Sequence, residues 1–74
     1  MTHANRYASR LHSLRCGTLH MTQSEFGKLI GKDTSQICRW EIGDRRISAD
    51  AVIEIAKMLG LDPVEELRKG GFIE

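Results

Sequence analysis

Met21-Thr22-Gln23-Ser24-Glu25-Phe26-Gly27-Lys28-Leu29-Ile30-Gly31-Lys32-Asp33-Thr34-Ser35-Gln36-Ile37-Cys38-Arg39-Trp40-Glu41-Ile42-Gly43 is the stretch that decides the fold. It holds two short helical patterns, each with its own start signal. Thr22 with Glu25 three residues on is a capping box: the hydroxyl accepts from one orphan amide and the carboxylate reaches back to another. Met21 and Phe26 stand where two side chains staple a helix entry. Asp33 with Gln36 repeats the capping logic for the second pattern. Gly31 is a natural end for the first helix, so only a short turn separates the two.

Two capped helices joined this tightly make a helix-turn-helix, here over about residues 22–42. The first is expected from about Gln23 to Ile30, with Phe26, Leu29 and Ile30 facing inward. Mid-helix Gly27 costs roughly 1 kcal/mol relative to Ala, and close approach of the two helices is its expected reason. The second is expected from about Thr34 to Glu41, with Ile37 and Trp40 inward. Trp40 shares its face with Ile37 and is therefore assigned to the core rather than to stacking on a base. Thr34, Ser35, Gln36 and Arg39 supply short polar groups and one long cation, a set suited to a helix that enters the major groove of DNA.

Outward from this stretch, Ala4, Tyr7, Leu11 and Leu14 recur at helix spacing, and Gly17 is expected to stop that first helix near Cys16-Gly17. Ile42 to Ile47 is a loop rich in charge. Ser48 caps a fourth helix with Asp50 in its first turn, a core stripe of Val52, Ile55, Ala56 and Leu59, and Gly60 at its end. Asp62 and Pro63 start a fifth helix that stops at Gly70-Gly71 and leaves Phe72-Ile73-Glu74 as a tail. The chain of 74 residues is read as a single all-α domain over residues 1–74. A domain this short buries roughly 60% of its unfolded surface, so its stability is marginal unless a partner adds to it.

Hydrophobic residues at 41% and charged residues at 28% give a globular balance. The net charge is only +1, but residues 1–40 hold six Lys/Arg against two acids and residues 41–74 hold five against eight. That asymmetry fits one basic working face and an acidic back. No stretch of eighteen apolar residues is present, so no membrane partner is expected. The start of the chain carries no apolar signal region, and Cys16 and Cys38 form no disulfide framework, so the expected location is the cytoplasm, on the nucleoid when bound to DNA. His12, Cys16 and His20 fall four residues apart, but Gly17 interrupts their helix and a fourth ligand is missing; no metal and no cofactor are expected. No nucleophile–base pair, phosphate-cradling Gly-rich loop or carboxylate pair emerges, so no catalytic residue is assigned and the chain is not read as an enzyme.

Leu14-Arg15, Met21 to Phe26, Gly31, Ser35, Ile37, Arg39-Trp40-Glu41, Gly43 and the run Ile55-Ala56-Lys57-Met58-Leu59-Gly60-Leu61 occur in this order and spacing. With them, residues 11–67 resemble the Xre family of helix-turn-helix regulators, the group that includes lambdoid phage repressors and Cro. The resemblance implies a compact five-helix, lambda-repressor-like DNA-binding domain. It implies that Gln23 reaches a DNA phosphate and braces the recognition helix. It also implies that Thr34, Ser35 and Arg39 face base edges and that Glu41 pairs with Arg15. Four positions depart from the family pattern. The linker between Arg15 and Met21 is one residue longer, Lys32 replaces an apolar turn residue, Ile47 replaces a frequent Pro, and Gly27 a frequent Ala.

The expected contacts follow. Thr34, Ser35, Gln36 and Arg39 are expected at the bases; Arg39 forks onto guanine O6 and N7 or else clamps a phosphate, and Gln36 either reads adenine through N6 and N7 or caps toward Asp33. Gln23, Lys32, Arg45 and Arg46 hold phosphates. One helix reads only about 4–5 base pairs, so a homodimer is expected, with Ile53, Val64, Leu67, Phe72 and Ile73 as its candidate interface. The expected function is a sequence-specific, double-stranded-DNA-binding transcriptional regulator, of the phage repressor/Cro or restriction–modification controller kind. The alternative is an antitoxin-like module that neutralises a protein partner and autoregulates its own operon.

Overall fold

The computed structural model describes residues 3–74, with side chains from Arg6 onward. The chain is all-α: α1 (His3–His12) runs on into a π-helical segment (Ser13–Thr18), followed by α2 (Gln23–Ile30), α3 (Thr34–Ile42), α4 (Ala49–Leu59) and α5 (Pro63–Lys69). Tyr7 and Leu11 of α1 meet Phe26 and Ile30 of α2, Ile37 and Trp40 of α3, loop residue Ile47, and Ala51, Val52 and Ile55 of α4 in one cluster. Leu19, Met21, Leu59, Leu67 and Phe72 close its edges. The side chain of Ala4, first in the expected α1 stripe, lies outside the described residues.

Most start signals act as read. The Thr22 hydroxyl accepts from the Glu25 amide at 3.1 Å, and the Glu25 carboxylate accepts from the Thr22 amide at 2.9 Å. Ser48 accepts from the Ala51 amide, and Asp62 from the Val64 amide with Pro63 opening the helix. Asp33 differs. Its side chain makes no capping bond; its backbone carbonyl accepts from the Gln36 and Ile37 amides, each at 3.1 Å, and that alone starts α3.

Two further expectations are corrected. Gly17 does not stop the first helix: π-type turns carry it to Thr18, with the Leu19 amide on the Leu14 carbonyl and the Met21 amide on the Arg15 carbonyl, both at 2.9 Å. The widened turns leave only residues 19–22 between this segment and α2. Leu29 is 41% exposed rather than part of the core. The inward face of α2 is Phe26, Gly27 and Ile30, and Leu29 stands about 100° away from Ile30 around a helix of eight residues.

Gly27 packs tightly against the turn and against Ile37 of α3. A Cβ there would stand 2.5 Å from the Lys32 carbonyl oxygen and 3.3 Å from Ile37 Cδ1. The turn's own backbone is thus the tightest neighbour. Gly31 reverses the chain at φ 71°, a left-handed conformation open to glycine without a Cβ penalty.

A buried polar junction fixes α5 to α1. Glu66 is 2% exposed and accepts from the Tyr7 hydroxyl at 3.1 Å and from Arg10 Nε and Nη2 at 3.0 and 2.9 Å. Burial by itself pushes the Glu66 carboxyl up, but the Arg10 hydrogen bonds and charge, with Tyr7 and Lys69, hold it below the usual carboxylate value. Burial, and then the Glu66 charge, push the Tyr7 phenol up.

Candidate nucleic-acid interface

All four expected base-reading residues lie together. Thr34, Ser35, Gln36 and Arg39 are exposed along one side of the nine-residue α3, while Ile37 and Trp40 on its other side are buried. The phase of those two apolar residues determines which side chains point outward.

The far end of α3 is anchored by a carboxylate. Arg15 grips Glu41 in a fork, Nε to Oε2 at 2.7 Å and Nη2 to Oε1 at 2.9 Å, and its Nη1 donates to the Met21 carbonyl at 2.9 Å. Gln23 Nε2 donates to the same Glu41 Oε1 at 3.2 Å, and His12 Nδ1 lies 3.3 Å from it. Burial pushes the Glu41 carboxyl up, but hydrogen bonds from Arg15, Gln23 and His12 and the Arg15 charge bring it below the usual value. The hydrogen bond to Glu41 raises Arg15 in turn. The pairing implied by the resemblance is present, and it is wider than implied, because it also takes in Gln23 and His12.

Two open grooves flank α3. Arg45 and Arg46, exposed on the loop after the helix, line the groove between α3 and α4 together with Trp40 and the acids Asp50 and Glu54. Ser24 and Lys28 line the groove between α2 and α3 together with Thr34. Lys32 and Gln36 border both. Lys32 is half-buried, with its ammonium 3.4 Å from Glu54. Ser24 and Lys28 were not singled out in the sequence, because polar residues on the outer face of an amphipathic helix carry no signal beyond solvation.

The expected dimer residues are scattered in exposure. Val64 and Ile73 are exposed and Ile53 is half-buried. Leu67 and Phe72 are also half-buried and pack against the chain's own core. Among the described residues, no helix is long and apolar enough to cross a membrane.

A family model described as helix-turn-helix matches residues 11–65. No curated protein and no solved structure matches the chain.

Proposed function

The chain belongs to the Xre-type helix-turn-helix family of DNA-binding regulators, and from that premise we propose that it is a sequence-specific transcriptional regulator binding operator DNA as a homodimer, in the manner of a phage repressor, Cro or a restriction–modification controller. The observation that carries the reading is the division of α3: four exposed polar residues on one side, two buried apolar residues on the other, and an anchored carboxylate at its end.

In this reading Arg39 forks onto a guanine, Gln36 reads an adenine, and Thr34 and Ser35 meet base edges near the start of the helix. Lys32, Arg45 and Arg46 neutralise phosphates, Gln23 donates a hydrogen bond to one, and together they set the register. A side-chain amide has two donor hydrogens, so Gln23 can hold Glu41 with one and a phosphate with the other. A second copy doubles a footprint of about 4–5 base pairs. The exposed Val64 and Ile73 support a contact through the C-terminal part of the chain, with Ile53, Leu67 and Phe72 at its margin.

Selection of bound sites from random double-stranded DNA tests this directly. The expected result is a repeated half-site with a centre-to-centre spacing of about 10–10.5 base pairs or a multiple. Absence of any enriched sequence would refute sequence-specific reading. A single enriched half-site bound by one chain would refute the dimer.

A further inference from the structure

We propose that the groove between α2 and α3 seats a backbone phosphodiester of the bound DNA, with Lys28 as its principal cation and Ser24 as a hydroxyl donor; the inference rests on the DNA-binding reading above. The groove encloses about 560 Å³ and is open to solvent. On its α2 side Ser24 and Lys28 stand one helical turn apart, and on its α3 side are Thr34 and Gln36. Gly31 also lines it, so part of its wall carries no side chain to hold a strand away. A Cβ at Gly31 would meet nothing within 4 Å, which places that position against open space.

The groups around the groove are mostly donors. Two ammonium groups and two hydroxyls face a single carboxylate, that of Asp33. Donors with a net positive charge suit a phosphodiester, which offers only acceptors and one negative charge. The two lysines are not equivalent. Lys32 is paired with Glu54 at 3.4 Å, whereas Lys28 is exposed and, among the described residues, enters no ion pair. Glu25, one turn before Lys28, has its carboxylate on the Thr22 amide. Lys28 is therefore the cation in the groove that can meet a phosphate without first leaving a carboxylate.

Position fits the role as well. Thr34 and Gln36 belong both to this groove and to the exposed side of α3, so a strand seated here brings its bases against the first turn of that helix. Arg45 and Arg46 line the groove on the other side of α3. The recognition helix is thus flanked by cations on both sides, as the major groove is flanked by the phosphates of two strands.

Equilibrium binding of the full chain to its selected duplex, measured over about 50–300 mM NaCl, tests the assignment. Lys28→Ala is expected to lower the magnitude of the slope of log K against log[salt] by about 0.9, the release of one counterion, while the ratio of operator to random-DNA affinity is unchanged. Lys28→Arg is expected to keep the wild-type slope, and Ser24→Ala to weaken binding without changing it. Lys57→Ala, at an exposed α4 cation outside the groove, should leave the slope unaltered. An unchanged slope in Lys28→Ala, or an equal change in Lys57→Ala, overturns the proposal. A wild-type chain that binds no duplex at low salt would sink the DNA-binding reading itself, whereas an unchanged Lys28→Ala slope with wild-type binding intact sinks only this assignment.

Discussion

The substitution Glu66→Ala removes the carboxylate that α5 carries into its junction with α1, and its cost can be built from the three hydrogen bonds lost. Tyr7 is fully buried, so its hydroxyl is left without an acceptor, a penalty of about 1–3 kcal/mol. Arg10 is 25% exposed at its side chain; it loses a charge-assisted fork but can turn to water. Together these approach the about 3–5 kcal/mol typical of breaking a buried ion pair from one side. A chain of this length has a total stability of roughly 4–11 kcal/mol, so about a quarter or more is at stake. At about 4–8 °C per kcal/mol, the thermal midpoint followed by circular dichroism should fall by at least about 12 °C. Acid titration gives a second readout. Because the folded Glu66 carboxyl lies below its ordinary value, the stabilisation is present above the unfolded carboxylate pKa of about 4.3 and is lost as pH falls from there through the folded value. The variant should therefore lose less stability than the wild type below about pH 4, retaining the contributions of Glu41 and of Glu25, whose carboxyls are also held below the usual value. A stability within about 0.5 kcal/mol of wild type, or an acid dependence equal to wild type, would show that the junction does not hold α5 in place.

Gly27→Ala should destabilise by about 1–3 kcal/mol in urea unfolding despite the better helix propensity of alanine, because its Cβ would stand 2.5 Å from the Lys32 carbonyl; a stabilised variant would refute the close approach. A double-mutant cycle on Arg15→Ala and Glu41→Ala should give a coupling energy of about 1–3 kcal/mol, and additive losses would reduce the fork to a surface contact. Arg39→Ala should weaken operator binding by about 1–3 kcal/mol and relax preference at one base position, whereas an equal loss on random DNA would make it a phosphate contact. Arg45→Ala or Arg46→Ala should lower the salt slope by about one for each lost contact, and an unchanged slope would remove that residue from the interface.

What could be read in the sequence was local chemistry. Capping at Thr22, Ser48 and Asp62 needs only partners two or three residues away, and the outward side of α3 follows from the spacing of Ile37 and Trp40. Where position depended on distant partners, local reading was insufficient. Leu29 and Ile30 are adjacent apolar residues, and only packing against the rest of the core decides that Ile30 turns inward. Glu66 is a charge on an inward face whose partners lie 56 and 59 residues away, and no local rule pairs it with Arg10 and Tyr7. A trace was available, since Pro63, Glu66, Leu67 and Gly70 recur at helix spacing and Glu66 interrupts an otherwise inward stripe. The π turns over Ser13–Thr18 also depend on distant partners, since Arg15 there holds both Glu41 and the Met21 carbonyl.

Glu41 draws the remaining pieces together. Thr34, Ser35, Gln36 and Arg39 are exposed and pack against nothing in the core, so the angle of the helix depends on Ile37, Trp40 and whatever holds its end. That end is held by one carboxylate receiving Arg15 from the π-helical segment and Gln23 from the first turn of α2, with His12 of α1 beside it. In the proposed complex Gln23 also meets a phosphate, so the group that sets the angle of α3 sets the position of a backbone contact as well. The two are then mechanically coupled: tilting α3 relative to the bases displaces the Gln23 amide, and fixing Gln23 on a phosphate resists that tilt. A register enforced in this way comes from the three segments meeting at Glu41 rather than from the reading residues themselves. A chain that places Thr34, Ser35, Gln36 and Arg39 on a short helix therefore still needs Arg15, in the π-helical segment that precedes α2, to keep them in register.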